Sequence, residues 1–199
     1  MSDPRERLPL FPLQTVLFPG SVLPLHVFEA RYMDLATRCL KDGTVFGVNL
    51  IAEGAEVGAT AIPHAVGVSA RITEWDMPQP GVLNIVTRGE RRYRILQTEA
   101  GANGLLLGEV EWLAEPRPVP VPDDCMSLVT LLRAIVEDAG DVRLPPPHDF
   151  GDAGWVGMRY AELLPIPALA KQSLLELDDA LGRLAIIRKF LEQRGLLTV

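Results

Sequence analysis

Lys41, Lys171 and Lys189 are the only lysines in the chain, so they are its only candidates for an activating amine. Lys171 and Ser173 are the one close Ser/Lys pair, and a serine nucleophile needs a nearby base or an amine of lowered pKa. Two residues apart on a helix, the pair points to different faces. The expected outcome is a solvated helix surface and no nucleophile. His26, His64 and His148 are the only histidines; they sit in three separate segments, without HExxH or Cys-His spacing. Cys39 and Cys125 form no CxxC, which argues against a zinc cluster and a disulfide scaffold and leaves each as a small buried thiol. No glycine is followed by lysine, so the G-x-x-x-x-G-K-[ST] phosphate cradle is absent, as are G-x-S-x-G and G-x-G-x-x-G. These residues predict no catalytic group, no metal and no cofactor.

Arg88, Arg91, Arg92 and Arg94 form the one basic cluster, interrupted by Glu90. On a regular strand Arg88, Glu90, Arg92 and Arg94 share one face, with Arg91 and Tyr93 on the other. A solvated or ion-paired strand face is the expected role. An acidic protein partner and RNA binding through Arg88, Arg91 and Arg92 are the alternatives. The chain as a whole is acidic, net −7 with a pI near 5.0, so counterion release gains it little. No aromatic ladder accompanies the arginines, unlike in single-strand binders.

These residues must be positioned by ordered elements, and 199 residues at 48% hydrophobic and 23% charged suffice for one domain or two small ones. Leu8 to Phe28 carries no formal charge over 21 residues, yet Pro9, Pro12, Pro19 and Pro24 exclude a spanning helix. It reads as short buried strands joined at Pro19-Gly20. Phe28 to Leu40 has helical spacing, closed by Gly43. Strands follow over Thr44–Ile51, Ala65–Trp75, Val82–Thr98, with Gly89 as a candidate bulge, and Leu105–Leu113. Met77 to Gly81 reads as a loop or hairpin tip. About six strands without βαβ alternation predict a small barrel or sandwich over residues 1–115. Residues 116–122 alternate proline with other residues and predict an extended connector. Residues 123–199 predict a bundle of about four helices, capped at Asp123, Asp152 and Asp178-Asp179. The class is α+β.

Leu8-Pro9-Leu10-Phe11-Pro12-Leu13, Val16-Leu17-Phe18-Pro19-Gly20 and Leu23-Pro24-Leu25-His26-Val27-Phe28-Glu29-Ala30-Arg31-Tyr32 resemble the opening of the substrate-binding, N-terminal domain of the Lon protease family. Phe46-Gly47-Val48, Val66-Gly67-Val68, Arg88-Gly89-Glu90-Arg91-Arg92-Tyr93 and the stretch from Leu163-Leu164-Pro165 to Arg183-Leu184 fall where that family has similar segments. Cereblon carries a related domain. Gln14-Thr15 and Ala30 depart from the family's usual residues. The resemblance implies a PUA-like β-pseudobarrel with one early helix, followed by the helical bundle. It implies a non-enzymatic module that binds unfolded polypeptide segments or degradation signals. The ATPase and Ser-Lys protease modules of full-length Lon have no counterpart in these residues, so a separate ATP-dependent protease is an expected partner. Expected lining residues of a groove between barrel and bundle are Leu17, Phe18, Phe28, Tyr32, Trp75, Arg92 and Trp155. Acids among the bases of the first seven residues make a poor leader peptide, and a cytoplasmic protein is expected.

Overall fold

The structure, a computed structural model, describes residues 6–56 and 61–197. The first five residues, on which the leader-peptide reading partly rests, lie outside the described residues. The chain divides into two compact units, Met1–Glu115 and Pro116–Val199.

The first unit contains, among the described residues, β1 (Glu6–Leu13), β2 (Val22–Val27), α1 (Ala30–Asp42), β3 (Phe46–Glu53), β4 (Ile62–Pro63), β5 (Val66–Gln79), β6 (Val82–Ala100) and β7 (Leu106–Trp112). The strands run β1-β7-β6-β5-β3, and β3 pairs in parallel with β1, which closes the ring. All other pairings are antiparallel. Closure removes the edges of those five strands. β2 lies against the first half of β6, and the two-residue β4 against β3, which accounts for seven strands where about six were expected. The expected β-pseudobarrel with one early helix is the observed fold.

Two local features differ from the sequence reading. Met77, Pro78 and Gln79 belong to β5, so the hairpin is longer and turns at Pro80-Gly81, where Gly81 takes φ of 86°. β2 is half-exposed rather than buried, because it pairs with β6 alone and puts Pro24 on an outer edge.

The proline turn between β1 and β2 docks on β6. The Gly20 N–H donates to the Gly89 carbonyl (2.7 Å), and the Gly89 N–H donates to the Ser21 carbonyl (2.9 Å). A Cβ at Gly89 would sit 2.2 Å from the Phe18 carbonyl oxygen. Just beyond, β6 carries one extra residue: Val68 faces Arg92 and Ala70 faces Gly89, leaving Ser69 opposite both Glu90 and Arg91. That bulge inverts the alternation of β6.

The second unit begins with the proline-alternating segment. Val119 and Val121 pack on the helical core while Pro118 and Pro120 stay exposed, a period of two that suits an extended strand. The Val119 N–H donates to the Asp152 carboxylate (2.9 Å), the Val121 N–H to the Gly151 carbonyl (3.1 Å), and the Ala153 N–H returns to the Val119 carbonyl (2.7 Å). A 3-10 turn (Asp123–Cys125) leads into α2 (Met126–Ala139), so Asp123 opens that turn and does not cap the α-helix. α3 (Ala153–Leu163), α4 (Ala168–Glu176) and α5 (Ala180–Gln193) complete the four expected helices. Asp152 caps α3 by accepting from the N–H groups of Gly154 and Trp155, and Asp179 caps α5 through Gly182. Each cap contributes about 1 kcal/mol. α3 is buried nearly all round, and its Gly157 lets the Arg183 side chain of α5 approach within 2.9 Å of a notional Cβ. No helix among the described residues is long and apolar enough to cross a membrane.

Candidate functional site

Two of the expected site residues, Phe28 and Tyr32, meet in one pocket of the first unit. It occupies about 250 Å³ between the end of β1, β2 and the first turn of α1. The helix starts at Ala30, not at Phe28 as the spacing predicts, so Phe28 stands in the extended entry before the Glu29 cap and reaches the pocket from there, while Tyr32 reaches it from the first turn. Phe28 is 57% exposed, while Tyr32 is 6% exposed, its ring stacked on Phe11 at 3.8 Å and 13°. The Arg31 guanidinium lies 4.7 Å from the Tyr32 ring centroid and pairs with Glu29 at 2.9 Å. Leu13, Leu25, Glu29 and Glu56 also line the pocket. None of them carried a local spacing signal. Glu29 and Glu56 come from distant segments, and only the fold brings them together. Burial raises the Tyr32 pKa above the ordinary tyrosine value; Arg31 opposes that shift, and the carboxylates of Glu29 and Glu56 add to it.

Trp75 lies in the same neighbourhood by strand register. Leu25 of β2 faces Ile85 of β6, and Ile85 faces Trp75 of β5. Directly opposed side chains share a sheet face, and two strand spacings amount to roughly 10 Å. Trp75 is 59% exposed and Met77, two residues on, is 49% exposed. Ile85 between them is only 2% exposed, so Trp75 stands two strands from the pocket by register, as a separate exposed apolar side chain.

The other expected lining residues sit elsewhere. Leu17 and Phe18, 3% and 0% exposed, are core residues, because docking of the Pro19-Gly20 turn on Gly89 draws them inward. Arg92 is 7% exposed: the β6 bulge sets it opposite Val68, and β5 is buried on both faces from Val66 to Ala70. It therefore does not present itself on a strand face. Trp155 belongs to the second unit, half-buried beside Phe150 and His148, with ring centroids 5.1 and 5.8 Å away.

The remaining basic cluster is interleaved with acids. Glu90 pairs with Arg71, which also donates to the Gly43 carbonyl. Arg91 lies 4.0 Å from Glu115 and 5.0 Å over the Trp112 ring. Arg94 faces Glu111 across β7, and Arg88 faces Arg71. This distribution matches the ion-paired strand face and gives RNA no row of free cations among the described residues.

Ser173 and Lys171 do not meet. The Ser173 hydroxyl donates to the Leu169 carbonyl (3.0 Å), and Lys171 Nζ donates to the Glu162 carbonyl (2.6 Å). Burial pushes the Lys171 pKa down, with Glu162 opposing. His26 bonds Asn84, His148 bonds the Leu144 carbonyl, and the His64 carbonyl accepts from Asn49. Among the described residues, no group of three or more His, Cys, Asp or Glu side chains is placed to hold a metal. Cys39 and Cys125 are unpaired and buried, and burial raises both thiol pKa values.

Comparison with known proteins agrees with this architecture. The chain is similar to a Lon N-terminal domain protein from Xanthomonas campestris, at 36% identity and a TM-score of 0.78, over 93% of this chain and 98% of that one. It has the fold of the N-terminal domain of a Mycobacterium avium complex Lon protease, with a TM-score of 0.65 at 22% identity over 93% and 97% of the two chains. It is 26% identical over 200 residues to Lon protease 2 of Myxococcus xanthus, covering 96% of this chain and 24% of that protein. It is 23% identical over 137 residues to protein cereblon of Xenopus tropicalis, covering 63% of this chain and 28% of that protein. The chain thus spans about a quarter of the length of these curated relatives. Residues 7–193 match the ATP-dependent protease La (LON) substrate-binding domain. The chain belongs to that family of substrate-binding domains.

Proposed function

We propose that the first unit binds extended, apolar-rich polypeptide segments, without chemistry of its own, through the Phe28–Tyr32 pocket and the adjoining Trp75 face. One observation carries the reading: in a member of a substrate-binding family, a pocket walled by aromatic side chains opens beside Phe28, with the exposed Trp75 two strands away by register. Exposed aromatic residues around a concavity suit transient apolar contact. The β5–β6 hairpin lets a segment of several residues lie along the strands while one side chain enters the pocket. Roughly micromolar affinity, about 8 kcal/mol, is expected of such a contact. In this reading the protein works in the cytoplasm, consistent with its unpaired cysteines. It presents its substrates to an ATP-dependent protease.

Phe28→Ser and Trp75→Ala test the site. Both side chains are more than half exposed, so each variant should keep its unfolding free energy within about 0.5 kcal/mol of the parent. Each should weaken binding of a reduced, carboxymethylated polypeptide roughly tenfold, the worth of one well-placed aromatic contact. Unchanged affinity in both variants contradicts the site.

A further inference from the structure

The three tyrosines differ in one respect. The Tyr93 hydroxyl donates to Asn49 and the Tyr160 hydroxyl to the Leu128 carbonyl. Tyr32 is also more than nine-tenths buried, yet its hydroxyl has no hydrogen-bond partner among the described residues. Its oxygen is not sealed from water, so it is open to a partner that an occupant of the pocket supplies. The hydroxyl belongs to the pocket, which two carboxylates also line.

Glu29 is neutralised by Arg31, whose other amino group donates to the Gly104 carbonyl (3.0 Å). Glu56 accepts through Oε1 from the backbone N–H of Gln14, and among the described residues no cation pairs with it. His26 is bound to Asn84. Glu56 thus brings to the pocket a carboxylate that no cation of the described residues pairs with.

We propose that this pocket receives one lysine or arginine side chain of the bound polypeptide. The inference rests on the polypeptide-binding reading and names the residue type that the pocket selects. Phe28, Leu25 and Phe11 cover the methylene stem, as amphipathic side chains require. The charged head donates to the Tyr32 hydroxyl and the Glu56 carboxylate. A purely apolar side chain strips water from the same groups and returns no hydrogen bond. An acidic one meets like charge.

Two synthetic peptides of one apolar sequence, differing only in a central lysine or norleucine, test this by titration. The lysine peptide should bind about tenfold tighter, as expected for a charge-assisted hydrogen bond. Glu56→Gln and Tyr32→Phe should each bring that ratio close to one; Glu56→Gln, at a half-exposed position, serves if Tyr32→Phe fails to fold. n-Butylammonium, followed by NMR shifts of the Tyr32 ring, is the third probe. Equal affinity for the two peptides overturns the cation pocket and leaves polypeptide binding standing. Binding of n-butylammonium without either peptide overturns polypeptide binding and retains the cation pocket. No binding of any of the three probes overturns both.

Discussion

Gly89→Ala should destabilise the first unit by about 3–4 kcal/mol, a large share of the stability of an ordinary domain. The new methyl would lie 2.2 Å from the Phe18 carbonyl oxygen and 3.1 Å from the Leu17 side chain. The obstacle is backbone, so no rotamer change relieves it. Either the Pro19-Gly20 turn lifts off β6 or the β6 backbone moves. Both break the reciprocal Gly20–Gly89 and Gly89–Ser21 bonds and loosen Phe18, which is fully buried. Gly151→Ala is the control, since its Cβ would meet only the Asp149 carboxylate at 3.6 Å. Urea unfolding should leave the control within about 1 kcal/mol of the parent. Equal stability of the two variants contradicts the docking of the proline turn.

Alkaline pH should unfold the protein in steps governed by its tyrosines. Burial raises the pKa of Tyr32, Tyr93 and Tyr160 above the ordinary value, that of Tyr93 despite the Asn49 bond that opposes the rise. The neutral phenol is favoured in the folded state. The associated stability is therefore fully present below pH ~10, and it falls as pH rises from there toward each folded pKa. Each tyrosine that stays protonated in the fold and ionises in the unfolded chain removes about 1.4 kcal/mol per pH unit. Tyr93 in the first unit and Tyr160 in the second carry the large upward shifts, so both units should lose stability over this range. Tyrosinate absorbance should appear together with loss of circular dichroism. A gradual rise centred near pH 10 at unchanged dichroism would show that a tyrosine is open to water.

What the sequence disclosed were features set by neighbours in the chain. Pro19-Gly20, Gly43, Asp152 and Asp179 end or start elements through their own backbone preferences, and each does so in the structure. Asp123 misled because a 3-10 turn intervenes before α2. The hairpin is longer than expected because the β5–β6 ladder resumes at Gln79, facing Val82, after an irregularity that absorbs Met77 and Pro78. Arg92 was misplaced by a single extra residue in β6, since strict alternation has no tolerance for a bulge. Phe28 and Tyr32 do meet, but not by the helical spacing that suggested it, because α1 starts two residues later, at Ala30. The carboxylates of Glu29 and Glu56 were not legible, because separate segments converge only after the barrel closes. Leu17 and Phe18 look like binding residues in a one-dimensional reading, and only docking on Gly89 makes them core.

The central claim is that the surface from the Phe28–Tyr32 pocket to Trp75 takes up unfolded polypeptide. Backbone and methyl NMR shift mapping of the whole chain, titrated with a reduced, carboxymethylated polypeptide, tests it most directly. The account predicts saturable shifts concentrated on Leu25, Phe28, Tyr32, Glu56, Trp75 and Met77, with the Arg88–Arg94 segment little affected. Shifts confined to the second unit, or centred on Arg88 and Arg91, would contradict it.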